Sequence, residues 1–187
     1  MINNILPKKS ERAKTNPKFL VVSHLVFYKG IQDLIVAVNL LPKHLLEGLS
    51  IDVFGDGPYR EALLVLVNSH KLDSVFNFKG SSATLNATYK NYDYLIQPTH
   101  MECFSLSILE SLAANIPVIT TPVGGNKEVI TNGKNGYIFK TKDSHALSLL
   151  LEAIVTGKQY IKENTRPLVE TKFSITLMVE NHFELLN

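Results

Sequence analysis

Apolar residues along this chain follow two alternating rhythms. Short apolar-rich runs of strand length lie at residues 19–23, 49–54, 75–78, 94–97, 118–121 and 137–139, the first of them nearly continuous, and each gives way to a polar or glycine-bearing loop. After each loop, apolar positions recur three and four residues apart, the spacing of one helix face. Ile31, Leu34, Ile35, Val38 and Leu41 form the first such face, closed by Pro42. Others are expected at 59–69, at 81–89 behind Ser81 and Ser82, at 106–113 up to Pro117, in a short turn through Ile130, and at 144–155. Strands alternating with helices at this spacing predict an α/β, Rossmann-like fold. It has a parallel sheet of about six strands, right-handed crossovers and helices on both faces.

The ends of the chain break the rhythm. Residues 1–17 are polar, contain two prolines and show no period, so they read as a tail or linker, with the domain proper at 18–187. Residues 158–187 carry Leu168, Phe173, Ile175, Leu177, Met178, Phe183 and Leu185, which suggests one or two helices packing back on the domain or on another body. In a parallel sheet of this kind ligands bind beyond the carboxyl ends of the strands, near the point where strand order reverses. The polar loops 24–30, 55–58, 98–105 and 122–127 should therefore share one rim.

Composition narrows the function classes. With 187 residues, 45% hydrophobic and 19% charged, the chain suits one globular domain, and no apolar run approaches the roughly 20 residues that span a bilayer. A net charge of +2 without an arginine-rich patch argues against nucleic acid. Lys8, Lys9, Arg12, Lys14 and Lys18 read as a solvated basic arm. The lone Cys103 excludes an internal disulfide and a multi-cysteine metal site and points to a reducing compartment; residues 1–9 lack the apolar stretch of a secretory signal, so the cytoplasm is the default. Histidines 24, 44, 70, 100, 145 and 182 show no metal-ligand spacing.

The densest chemistry lies at Glu102 and Glu110, eight residues apart around a strand-to-helix junction. A helix N-terminus attracts anions, and a carboxylate beside a phosphate would repel it. Glutamates there make sense as acceptors from hydroxyl groups: one could grip a sugar, the other a ribose, with a diphosphate between them on the helix N–H groups. Each can also be read as an ordinary solvent-facing acid. Lys29 could neutralise a phosphate with Gly30 allowing close backbone approach, or could simply be solubilising. Gly124-Gly125 is either an anion nest or a plain turn. Gly55-Asp56-Gly57-Pro58 lacks the spacing of a dinucleotide fingerprint and reads as turn chemistry. Cys103 has no indicated His/Asp partner that would make it a nucleophile.

Assembled, these pieces resemble the C-terminal, nucleotide-sugar-binding domain of the family 4 (group 1) retaining glycosyltransferases, one half of a GT-B fold. The likeness runs from about Phe19 to the C-terminus. It rests on Glu102 and Glu110 as an E-x7-E pair within HMECFSLSILESLAANIPVITTPVGGNKEVI, on the further acid Glu128, and on FGDGP, FNFKG and NGYIF in the same order. The resemblance implies that Glu102 binds hydroxyls of the donor sugar and Glu110 the ribose. The backbone of Phe104, Ser105 and Leu106 would hold phosphate or sugar, with Gly124 and Gly125 alongside. Lys29 would contact the diphosphate. His24 stands where the family usually has an arginine, and Cys103 and Ser105 where glycines are common. The implied ligand is a UDP-, GDP- or ADP-linked sugar, with no metal. The implied reaction is hexosyl transfer to an acceptor hydroxyl, as in polysaccharide biosynthesis. The acceptor site belongs to an N-terminal domain that the 17 or so residues before the first strand cannot supply. It is therefore expected in cis or in trans, where it could also bring the protein to a membrane surface. The alternatives are a non-catalytic nucleotide-binding or partner module and a GT-B sugar epimerase relative.

Overall fold

A computed structural model describes residues 15–173 together with Lys9, Glu11 and Ala13. Six strands form one parallel sheet: β1 (Lys18–Val22), β2 (Ser50–Phe54), β3 (Phe76–Gly80), β4 (Tyr94–Gln97), β5 (Val118–Thr120) and β6 (Gly136–Ile138). Their order is β3-β2-β1-β4-β5-β6, so the winding reverses between β1 and β4. The helices between them are α1 (Ile31–Asn39), α2 (Arg60–Ser69), α3 (Leu85–Thr88), α4 (Leu106–Ala113) and α5 (Asn126–Val129), with α6 (Ser144–Val155) and α7 (Arg166–Lys172) after the last strand.

Strands covered on both faces are apolar at consecutive positions, which is why the central β1 and β4 appear in the sequence as nearly unbroken runs, while β2 buries alternate residues. Along β1, Phe19 and Val21 join a core with α1, α2 and α6, while Leu20 faces the opposite core, built on α4 and α7. Tyr94 and Ile96 of β4 side with the first core and Leu95 with the second. Phe19, Leu20, Leu34, Ile35, Ile51, Leu95 and Leu112 are fully buried; burial of each such side chain contributes about 2 kcal/mol.

Two elements differ from expectation. The segment expected to be helical over 81–89 has a single α-helical turn at Leu85–Thr88, followed by a 3-10 turn, Tyr89–Asn91. Ser82 spends its hydroxyl on Thr84 N–H and so does not cap a longer helix. The basic arm is not free in solvent at Lys9: its ammonium lies 3.1 Å from Asp93 Oδ1, its N–H donates to Ala114 O, and Ala13 N–H donates to the same Asp93 oxygen at 2.7 Å. Asp93 is 2% exposed, so this segment supplies partners that a buried carboxylate requires. At the other end, α7 packs against α4, and Leu168, Val169 and Phe173 join the second core. Ile175, Leu177, Met178, Phe183 and Leu185 lie outside the described residues. Among the described residues no helix is long and apolar enough to cross a membrane.

Candidate functional site

The loops after β1 and β4 meet where the strand order reverses. A 3-10 turn, Phe27–Lys29, ends β1's loop, and Gly30 in the left-handed region (φ 72°) starts α1. A Cβ on Gly30 would sit 1.9 Å from Pro98 O, so glycine is required by close approach as well as by torsion. His100 N–H and the Thr99 hydroxyl both donate to Tyr28 O, and His100 Nε2 meets Asp33 of α1 at 2.5 Å. These contacts stitch the two loops together. They deliver Lys29 to Glu102: the ammonium lies 2.6 Å from Glu102 Oε2, with both side chains about one-sixth exposed (17% and 16%). Glu102 Oε1 also accepts from Cys103 N–H at 3.2 Å.

Below Glu102, α4 begins without a side-chain cap. Ser105 is the N-cap residue, but its hydroxyl accepts from Gln97 Nε2 at 2.7 Å and pairs with Ser107 Oγ, leaving the helix's first N–H groups without a side-chain acceptor among the described residues. Two turns on, Glu110 Oε2 accepts from the Tyr89 hydroxyl at 2.8 Å, while Oε1 makes no hydrogen bond among the described residues. Tyr89 is fully buried; burial, then the Glu110 charge, then this hydrogen bond push its ionisation far above the usual tyrosine range.

Gly124 and Gly125 approach from the β5 side. A Cβ on Gly124 (φ 52°) would lie 2.1 Å from Glu102 O, and Gly125 N–H donates to Cys103 O at 2.9 Å. The pair thus braces the Glu102 loop, and one of its two amides is already spent. Phe104 rests its ring against Gly125 and Leu106 is 56% exposed, with Phe27, Tyr28, Met101 and Phe104 also exposed around the same rim. Cys103 is exposed, as is Glu128 on the first turn of α5.

His24 is held by the turn after β2. Its Nδ1 donates to Asp56 O at 2.7 Å, and the Gly55–Gly57 turn is pressed so closely on β1's loop that a Cβ on Gly55 (φ 128°) would lie 1.8 Å from Ser23 O. The turn therefore orients His24, whose Nε2 makes no hydrogen bond among the described residues. Asp33, Tyr89, Gln97 and His100 do not stand out in the sequence: each acts across a gap of 8 to 67 residues. The one local hint is Tyr89, an aromatic flanked by polar residues shortly before a strand.

Residues 3–167 match the family described as Glycosyl transferases group 1. Protein CapJ of Staphylococcus aureus is 28% identical over 179 residues, which cover 90% of this chain and 43% of CapJ. The structure of HepE from Anabaena in complex with UDP superposes with a TM-score of 0.82 at 21% identity, covering 92% of this chain and 49% of that one. The C-terminal domain of LpcC, a glycosyl transferase group 1 family protein from Francisella tularensis, gives 0.78 at 24% identity over 94% of this chain and 100% of the domain. The chain spans less than half the length of the curated relatives it matches.

Proposed function

The chain belongs to the group 1 glycosyl transferases, and from that premise we propose that it is the donor-binding half of a retaining enzyme that moves a sugar from a nucleotide sugar to an acceptor hydroxyl. The observation that carries this reading is the Lys29–Glu102 pair, set at the strand-order reversal in the loop that leads into the uncapped start of α4. A diphosphate on those N–H groups would meet Lys29 as a counter-charge, and the helix dipole would favour it further. Glu102, released from the ammonium, would accept from hydroxyls of the donor sugar, and Glu110 from the ribose. The backbone of Phe104, Ser105 and Leu106 would line the phosphates, with Gly124 and Gly125 setting the height of the loop above them.

Departure of the nucleoside diphosphate concentrates negative charge on its terminal phosphate. Fixed donors already aimed at that position stabilise the charge without having to reorganise, and in many enzymes this supplies most of the rate enhancement. Lys29, the α4 N–H groups and His24 through Nε2 are the donors here, and in this reading no metal is needed. The UDP held by HepE supports a nucleoside diphosphate as the ligand. The exposed rim of Phe27, Tyr28, Met101 and Phe104 supports an acceptor-binding domain, in cis or in trans, closing over the site. The lone cysteine supports a cytoplasmic setting.

Calorimetry of the chain with UDP, GDP and ADP tests the reading. One of them should bind, Glu110→Ala should weaken it, and the chain by itself should transfer no sugar. Absence of binding by all three, or robust transfer without a second domain, overturns it.

A further inference from the structure

Tyr89 has no place in the chemistry above, yet among the described residues its hydroxyl is the one side-chain group that donates to Glu110. Its ring belongs to the α4-side core with Leu20, Leu95, Ile108 and Leu112, and it is 0% exposed. The ring is anchored by a tight backbone turn: α3 ends with the Thr88 hydroxyl donating to Leu85 O, and Tyr92 N–H closes back on Tyr89 O at 3.0 Å. A phenylalanine would fill the same space. A buried hydroxyl costs free energy unless it is hydrogen-bonded, and this one is bonded to Glu110 Oε2 at 2.8 Å, 21 residues away on a different element.

We infer that Tyr89 is a positioning residue that holds Glu110 in its ligand-facing rotamer, and that this clamp sets how strongly the site distinguishes a ribonucleoside diphosphate from its deoxy forms. The inference rests on the reading of Glu110 as the acceptor from ribose hydroxyls. A glutamate has three side-chain torsions and loses much of their freedom when it is fixed. With Oε2 held by a rigid, buried donor, that loss is met on folding, and Oε1 is left in one place to receive a hydroxyl. Without the clamp the carboxylate must be ordered by the ligand itself, so affinity for the ribose form falls while that for the deoxy form does not. The upward displacement of the Tyr89 ionisation, caused first by burial and then by the Glu110 charge, fits this arrangement: it favours the protonated phenol, which is the donor form.

The test compares UDP, GDP and ADP with their 2′-deoxy and 3′-deoxy forms by calorimetry on the wild-type chain, Tyr89→Phe, Glu110→Ala and the double variant. For a nucleotide that binds, the wild type should prefer the ribose form over at least one deoxy form by about tenfold, the scale of one hydrogen bond to a charged acceptor. Tyr89→Phe should cut that preference to about threefold or less, and should have no further effect once Glu110 is alanine. A full preference retained in Tyr89→Phe overturns the inference while leaving the ribose role of Glu110 standing. A wild type that shows no preference, or binds none of the three, overturns that role and the inference with it. Should Tyr89→Phe not fold, the wild-type Tyr89 hydroxyl proton supplies the answer by NMR. It should remain protected from exchange in the nucleotide complex, and its loss on binding overturns the clamp.

Discussion

Removing one member of the Lys29–Glu102 pair should expose how the resting site is held together. Lys29→Met keeps the aliphatic stem and deletes the ammonium, leaving Glu102 with the Cys103 N–H at 3.2 Å as its remaining donor. At 2.6 Å the attraction between unit charges is about 6 kcal/mol at an effective dielectric of about 20, most of it offset by desolvation. Exposed pairs contribute about 0.2 to 1 kcal/mol, and breaking a buried pair costs about 3 to 5. Side chains about one-sixth exposed fall between these limits, so Lys29→Met should cost about 2 kcal/mol and lower Tm by about 4 to 8 °C. Glu102→Gln should cost about 1 kcal/mol, and the double variant should fall short of the sum by at least ~1 kcal/mol, measured by urea and thermal unfolding. The same pair competes with ligand, because a diphosphate must draw Lys29 away from Glu102. Glu102→Gln should therefore tighten nucleoside diphosphate binding by up to about tenfold when Lys29 is present, and leave it unchanged in the Lys29→Met background. Coupling below ~0.5 kcal/mol, or an equal change in both backgrounds, refutes the reasoning.

Gly124→Ala must accommodate a Cβ 2.1 Å from Glu102 O at φ 52°, whereas Gly133→Ala at φ 79° has nothing within 4 Å. The first should cost about 3 kcal/mol and weaken nucleotide binding, the second about 1 kcal/mol with binding intact, as read by urea unfolding and calorimetry. Because the Tyr89 phenol ionises far higher in the folded chain than when unfolded, the unfolded state loses this proton first. Stability should be independent of this group below about pH 10 and fall above it by about 1.4 kcal/mol per pH unit, a slope that Tyr89→Phe removes from the alkaline unfolding profile. Lys9→Met leaves the buried Asp93 with backbone donors alone and should lower stability by about 1 to 2 kcal/mol, checked by urea unfolding. His24→Arg should tighten nucleoside diphosphate binding by about 1 kcal/mol; unchanged affinity between about pH 6 and 8 would remove His24 from the phosphates.

The central strands and most helices are legible in the sequence because the middle of the sheet is buried on both faces. Phe19-Leu20-Val21 can be apolar in succession without exposing anything, and the amphipathic stripe of α6 is read off residues 144–155 with both bounds intact. The departure at residues 81–89 is local competition: a serine hydroxyl spent on a turn does not nucleate a helix, and periodicity carries no trace of that choice. In the site, Glu102 and Glu110 stand out through their spacing around a helix start. Their partners do not, since Lys29 lies 73 residues from Glu102 and Tyr89 21 residues from Glu110, and only the crossovers bring them within reach. Lys9 is hidden for the same reason: a basic residue in a polar stretch looks solvated until the chain folds a carboxylate beneath it.

Asn115, in the left-handed region at φ 62° just past α4, holds Lys9 O through Nδ2 and Thr165 N–H through Oδ1. A single amide thus ties the strand of chain leading into the fold to the one leading out of α6, at the far end of the helix that starts beneath Glu102.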